Sequence, residues 1–292
     1  LLGHPEHGRW VVAPRDRVHA TRRQYREDTL VLETEFETDA GTVRLVDCMP
    51  PWSDGRDADR NELIRRVEGV KGCVRMHLEW IVRFDYGSVV PWVRRSHGGL
   101  VATAGADSLI LYSPVATTGR GLTTVAEFDV QAGQTLSFVM AHFQSHRSPP
   151  LPIDARVAVA RAAAHWRSWA ARCTYQGPYS GPVRRSMLTL KALAYAPSGG
   201  IVAAPTTSLP ERLGGDLNWD YRYCWLRDAT FTLYALLQGG YEKEARAWRD
   251  WLLRAVAGRP QDMQTLYGVC GERRLTEWEI GWLPGYESSA PV

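Results

Sequence analysis

The sequence predicts a β + α multidomain chain, an antiparallel β-sandwich followed by the opening helices of an α/α barrel. Three observations carry this. Over residues 1–148, short runs of alternating apolar residues are punctuated by Gly and Pro, as expected of many short strands. The stretch Ser148-Pro149-Pro150-Leu151-Pro152 then reads as a stiff linker. Beyond it the apolar period becomes helical, and two helical runs are joined only by Gly239-Gly240-Tyr241, as in a helix hairpin.

Taken in order, Leu32, Thr34, Phe36 and Thr38 alternate with Val31, Glu33, Glu35 and Glu37, and the period resumes at Val43 and Leu45 after Asp39-Ala40-Gly41. That predicts a hairpin. A second hairpin is expected between 122–130 and 135–143 around Gln131-Ala132-Gly133-Gln134, with further strands near 73–84 and 99–113. Asp154 is placed to cap a helix carrying Val159, Ala163, Trp166 and Ala170 on one face. Gly177-Pro178 and Gly181-Pro182 interrupt, and a second helix is expected over about 183–196. Residues 201–224 have no sustained period, but their aromatic density argues against disorder. A third helix, about 226–238, carries Leu226, Ala229, Leu233, Leu236 and Leu237; a fourth, about 242–257, carries Ala245, Trp248, Leu252 and Val256. The last thirty or so residues, with Trp278, Trp282 and Tyr286, read as another aromatic loop. The expected division is a sandwich domain over 1–148, a linker and connecting helix over 149–182, and the first part of a helical domain over 183–292. So few hairpins do not close a barrel, so the chain is expected to be a segment of a longer protein.

Composition narrows the function. The 292 residues are 45% hydrophobic and 23% charged, which is globular. Among 35 basic residues only Lys71, Lys191 and Lys243 are lysine, and the formal net charge is +3. Arginine pairs are scattered among acids rather than gathered into a nucleic-acid stripe. No apolar run approaches the roughly 18–20 residues that span a bilayer. Five cysteines, an odd number with no CxxC, argue against a disulfide framework or zinc site; they are expected as buried small hydrophobes in a reducing, cytoplasmic setting. All eight histidines lie at or before His165, and there is no GxSxG, HExxH or GxGxxG. Serine-triad, zinc-protease and nucleotide chemistry therefore have no support in the later, aromatic half.

What that half offers is NWDYRYCWLRDATF at 218–231. The C–H faces of a pyranose stack on aromatic rings. Its hydroxyl rim suits a rigid five-donor guanidinium beside an acceptor-only carboxylate, here Arg227 and Asp228. The residues alone leave a plainer reading open, with Asp228 capping the helix, Arg227 in a surface ion pair and the tryptophans in the core.

PTTSLPE (205–211), NWDYRYCWLRDATF (218–231) and LTEWEIGWLPGYESSAPV (275–292) resemble the bacterial members of glycoside hydrolase family 15, the glucoamylase/trehalase-type inverting hydrolases. TLVLETEFETDAGTVRLVDCMP (29–50) resembles their N-terminal β-domain, and 187–211 the opening helix and loop of their catalytic domain. The resemblance implies a β-sandwich followed by an (α/α)6 barrel, incomplete here. It implies that Tyr221, Trp225, Arg227 and Asp228 line the subsite for the non-reducing-end glucose. Trp219, Trp282 and Tyr286 are candidate further walls to which no family role maps. Both catalytic glutamates of the family sit on later loops, so the resemblance places neither the general acid nor the base among these residues; Glu277, Glu279 and Glu287 fall upstream of the family acid. It implies part of an inverting exo-acting hydrolase releasing glucose from α,α-trehalose or α-1,4/1,6-glucan ends, with this chain inactive by itself. A non-catalytic sugar-binding or assembly module and a phosphorolytic (α/α)6 relative stay open. No metal or organic cofactor is called for. The partner expected is a small-molecule α-glucoside or glucan, with no nucleic acid and no membrane; the oligomeric state is open.

Overall fold

The computed structural model describes residues 1–51 and 61–292. The chain divides into two compact units, Pro5–Trp166 and Leu1–His4 with Arg167–Val292. No helix among the described residues is long and apolar enough to cross a membrane.

Among the described residues, the first unit is built on eleven strands: β1 (Arg9–Pro14), β2 (Val18–Tyr25), β3 (Leu32–Thr38), β4 (Gly41–Cys48), β5 (Asn61–Ile81), β6 (Trp92–Ser96), β7 (Gly99–Ala104), β8 (Asp107–Tyr112), β9 (Thr118–Arg120), β10 (Thr123–Gln131) and β11 (Thr135–Gln144). β5 organises them. Its first half lies in a sheet ordered β2-β3-β4-β5-β11-β8-β7-β6; its second half is flanked by β1 and β10, with β9 beyond β10. All pairings are antiparallel.

The crossing between sheets has a readable cause. Thr42 pairs with Lys71 but Val43 with Gly69, so Val70 is an extra, bulged residue. One inserted residue exchanges the faces of a strand. Before it Val67 points inward; after it Val74, Met76, Leu78 and Trp80 do. Two glycines make the crowding tolerable. A Cβ at Gly69 would overlap the Gln131 carbonyl oxygen, and one at Gly72, where φ is +69°, would overlap that of Ala40.

Here the second expected hairpin is corrected. β10 and β11 follow one another closely but do not pair: β10 bonds the far half of β5 and β11 the near half. Their connection runs over the bulge, with Gly69 N donating to Gln134 O and Ala132 N to Gly72 O. The first hairpin forms as expected, Thr38 facing Gly41 across Asp39-Ala40. The runs read near 73–84 and 99–113 are the end of β5 and the β7–β8 hairpin.

Between the sheets lie Val43, Leu45, Val67, Met76, Leu78, Phe128 and Phe138 with their neighbours. Each such side chain contributes about 1.5–3 kcal/mol on leaving water. The outer face of the larger sheet has two treatments. Val31, Val46, Cys48, Ile64 and Val139 are covered by Ala155, Ala158, Val159, Ala162 and Ala163 of helix α1 (Ala155–Ala170), where small residues recurring every three or four positions allow close approach. Towards the β2 edge the same face carries cross-strand ion pairs, Arg22 with Glu35 and Glu37, Arg26 with Glu33, and Arg44 with Glu35. These engage three arginines and leave a charged rather than adhesive edge.

Asp154 caps α1, its Oδ1 accepting Arg156 N at 2.9 Å and Val157 N at 3.0 Å. Those bonds hold its carboxyl below the ordinary range. Asp154→Ala is expected to speed amide exchange at Arg156 and Val157 while leaving β5 amides protected; unchanged exchange there contradicts the cap.

The second unit holds α2 (Ser180–Ala192), α3 (Leu226–Gln238) and α4 (Glu242–Ala255), with short strands β12 (Cys224–Trp225) and β13 (Leu266–Tyr267). α2 starts earlier than expected. Gly181-Pro182 does not interrupt it but lies in its first turn, where a missing N–H costs nothing. α3 has the expected bounds and ends in a Schellman motif: Tyr241 N donates to Leu236 O, Gly240 N to Leu237 O, and Gly240 has φ +83°. Its buried residues are Ala229, Thr232 and Leu236, so the buried stripe is rotated off Leu237, which is exposed. On α4, Trp251 rather than Leu252 joins Ala245 and Trp248 in the core. Trp251 meets Tyr267 edge-on at 6.1 Å, and its indole donates to Val269 O.

A candidate sugar-binding site at the start of α3

The backbone entering α3 is held from both sides. Cys224 and Trp225 pair with Tyr267 and Leu266, and Leu226 N donates to Thr265 O. Cys224 and Tyr267 are fully buried, so this two-strand clip is anchored in the core. Upstream, the stretch without period folds back on itself. Ala203 N donates to Tyr223 O, Ala204 N to Tyr221 O and Ser208 N to Trp219 O. The C-terminal aromatic loop is tied to it, since Asn218 Nδ2 donates to Ser289 O and Pro291 O.

On this support the four candidate residues come together. The Tyr221 and Trp225 rings stack at 5.3 Å and 29°. The Arg227 guanidinium lies 5.7 Å from the Trp225 ring centroid, within reach of a cation–π contact. Arg227 Nη2 and Nε donate to Asp228 Oδ2 at 3.0 and 3.2 Å. Asp228, and then Tyr221, hold Arg227 even more firmly protonated than usual. Asp228 is not a cap: Trp225 is the N-cap residue, and no side chain caps there. Placed in the first turn, Asp228 sits in the favourable field of the helix N-terminus. The Arg227 side chain is 62% and that of Asp228 33% exposed, so the pair adds little to stability.

Chemically this is a flat apolar wall beside a fork of N–H donors and a carboxylate. Trp219 and Trp282 are each about two-fifths exposed, and Tyr286 is held in a bridge with Ser289.

The family profile for glycosyl hydrolases family 15 matches residues 177–292, and that for the trehalase-like N-terminal domain matches residues 1–144. Residues 177–292 are thus a glycosyl hydrolase family 15 segment. The chain is 32% identical over 296 residues to a trehalase of Mycolicibacterium smegmatis, covering 92% of this chain and 44% of that protein. It is 30% identical over 269 residues to a trehalase of Thermoplasma acidophilum, covering 92% of this chain and 46% of that protein. The chain thus spans about half the length of the curated relatives it matches.

Two residues of this family 15 segment went unremarked in its sequence. Asp220 Oδ1 accepts Arg222 N at 2.9 Å, and Arg222 Nη2 donates to Asp220 Oδ2 at 2.7 Å. The carbonyl of Asp220 accepts the Trp225 indole N–H at 3.4 Å. An acid two positions before a base in a loop carries no periodic signal, only the turn preference of Asp.

The cysteines part from expectation. Cys48 and Cys224 are buried, but Cys73 and Cys270 are exposed and Cys173 is half-buried. Burial pushes the Cys224 thiol up to about 12 and that of Cys48 to about 11. A maleimide applied to the native chain is expected to modify Cys73 and Cys270 first and to spare Cys48 and Cys224. Mass spectrometry of the peptides reads this directly, and native labelling of Cys224 contradicts the clip beneath Trp225.

Proposed function

We propose that this chain supplies the glucose-holding subsite of an inverting, exo-acting glycoside hydrolase, with α,α-trehalose as the favoured substrate. The observation that carries the reading is the cluster at the start of α3: stacked Tyr221 and Trp225, and Arg227 paired with Asp228. The trehalase relatives support the choice of trehalose over α-1,4/1,6-glucan ends. In this reading the apolar face of the terminal glucose rests on the ring wall. Arg227 donates to two hydroxyl oxygens, and Asp228 accepts from a neighbouring hydroxyl. The sugar is thereby held still while the chemistry occurs at its anomeric carbon.

Inversion needs a carboxylic acid to protonate the leaving oxygen and a carboxylate to activate water, about 6.5–9.5 Å apart. We assign neither role within these residues. The helices of the second unit are proposed to belong to an (α/α)6 barrel whose other loops supply both carboxyls, in a cytoplasmic protein. Chain 1–292 by itself is then expected to release no glucose.

The test is to incubate the gene product carrying this chain with trehalose and, separately, maltotetraose, and to follow the released glucose by proton NMR. Early β-glucose from trehalose supports the proposal; early β-glucose from maltotetraose alone moves the substrate to glucan ends. From trehalose, inversion releases β-glucose beside an equal amount of the leaving glucose, which keeps its α-configuration, so early α-glucose without β-glucose contradicts inversion; glucose 1-phosphate formed only with added phosphate establishes the phosphorolytic alternative.

A further inference from the structure

We propose that Asp220 is a positioning residue of this site, acting on the sugar only through Tyr221 and Trp225; the inference rests on the reading of the 221–228 cluster as a glucose subsite. Tyr221 sits in a loop with no regular secondary structure, so something local must fix the direction of its ring. Asp220 does this on two sides. Its Oδ1 accepts the Arg222 amide at 2.9 Å, an Asx turn that closes around the Tyr221 backbone. Arg222 then locks the carboxylate in place, Nε at 3.0 Å from Oδ1 and Nη2 at 2.7 Å from Oδ2. The Asp220 carbonyl accepts the Trp225 indole N–H, so the residue that shapes the turn under one ring also steers the other. Asp220 bridges to Thr207, and Tyr221 O accepts Ala204 N at 2.8 Å, which fastens the turn to the returning strand of the loop.

The plainer reading is a partly exposed ion pair between neighbours. Such a pair contributes little to stability, so the two readings separate cleanly in the full gene product. Asp220→Ala is expected to raise KM for trehalose about tenfold or more, because a small displacement of a binding wall is expensive, while the thermal midpoint stays close to wild type. Asp220→Asn, whose Oδ1 still accepts the Arg222 amide, is expected to restore most of the affinity. A lowered thermal midpoint with unchanged KM in Asp220→Ala overturns the proposal in favour of a purely structural pair. An Asp220→Asn variant as impaired as Asp220→Ala also overturns it, since the charge itself would then be what the sugar needs. Wild-type protein that releases glucose from neither substrate sinks the subsite reading instead, so the two failures are distinguishable.

Discussion

Arg227→Ala and Asp228→Ala are each expected to lower kcat/KM for trehalose roughly 100-fold or more, with thermal stability close to wild type. The size follows from the kind of bond lost. Hydrogen bonds to a charged group are about twice as strong as neutral ones, and a guanidinium makes them in pairs. Each variant also strands its partner, because Arg227 and Asp228 are bonded to one another. Stability should barely move, because the pair is solvent-exposed and stands on a backbone held by other bonds. Arg227→Lys is expected to recover little, since a single ammonium does not reproduce the planar fork or its contact with the Trp225 ring. Steady-state kinetics alongside thermal melts measure both halves. Near-wild-type kinetics in both alanine variants would return the pair to a surface role.

The second large effect is on folding. Glu244, in the first turn of α4, is buried. Its Oε1 accepts the Trp169 indole N–H at 2.7 Å and Arg172 Nη2 at 3.2 Å, with Lys191 Nζ at 3.4 Å. Trp169 in turn stacks on Tyr241 at 3.9 Å, under the Arg172 guanidinium. Glu244→Ala leaves a buried indole donor and two cations without their acceptor. A loss of about 2–3 kcal/mol is expected, less than for a sealed pair because Arg172 reaches solvent. Burial alone would raise the Glu244 carboxyl, but the Trp169 indole and Lys191 outweigh it and hold it below the ordinary range. A carboxyl depressed in the folded state stabilises fully above its unfolded titration, near pH ~4.3, and loses that contribution as pH falls through the folded value. Glu244→Gln should therefore be less stable than wild type at neutral pH, with the gap narrowing in acid. Parallel stability curves for the two proteins from pH 7 down to about pH 3 would contradict the assignment.

What the sequence made legible was what is local. The extent of α3 was readable because leucines recur at helical spacing and Gly239-Gly240 supplies the left-handed stop. The clustering of Tyr221, Trp225, Arg227 and Asp228 was readable because they fall within eight positions and their chemistry is complementary. Partner choice was not readable. Two alternating runs around Gln131–Gln134 look like a hairpin from spacing alone, yet each pairs with a different half of β5. Nor was the length of β5, of which only the run near 73–84 was expected, because the bulge at Val70 interrupts the alternation inside one continuous strand. Glu244 reads as an ordinary polar helix position because its partners Trp169, Arg172 and Lys191 lie far away in sequence. Asp220 stands next to the motif, but its role depends on a turn geometry that composition does not encode.

The most direct test of the central claim is to watch Trp225 itself. In the gene product carrying this chain, the indole N–H resonance of Trp225, assigned by its disappearance in Trp225→Phe, is followed by heteronuclear NMR as glucose is added. The socket predicts a saturable shift of that resonance, abolished in Arg227→Ala while the remaining indole signals keep their folded positions. A Trp225 resonance indifferent to glucose in a protein that hydrolyses trehalose would place the sugar elsewhere and contradict the assignment.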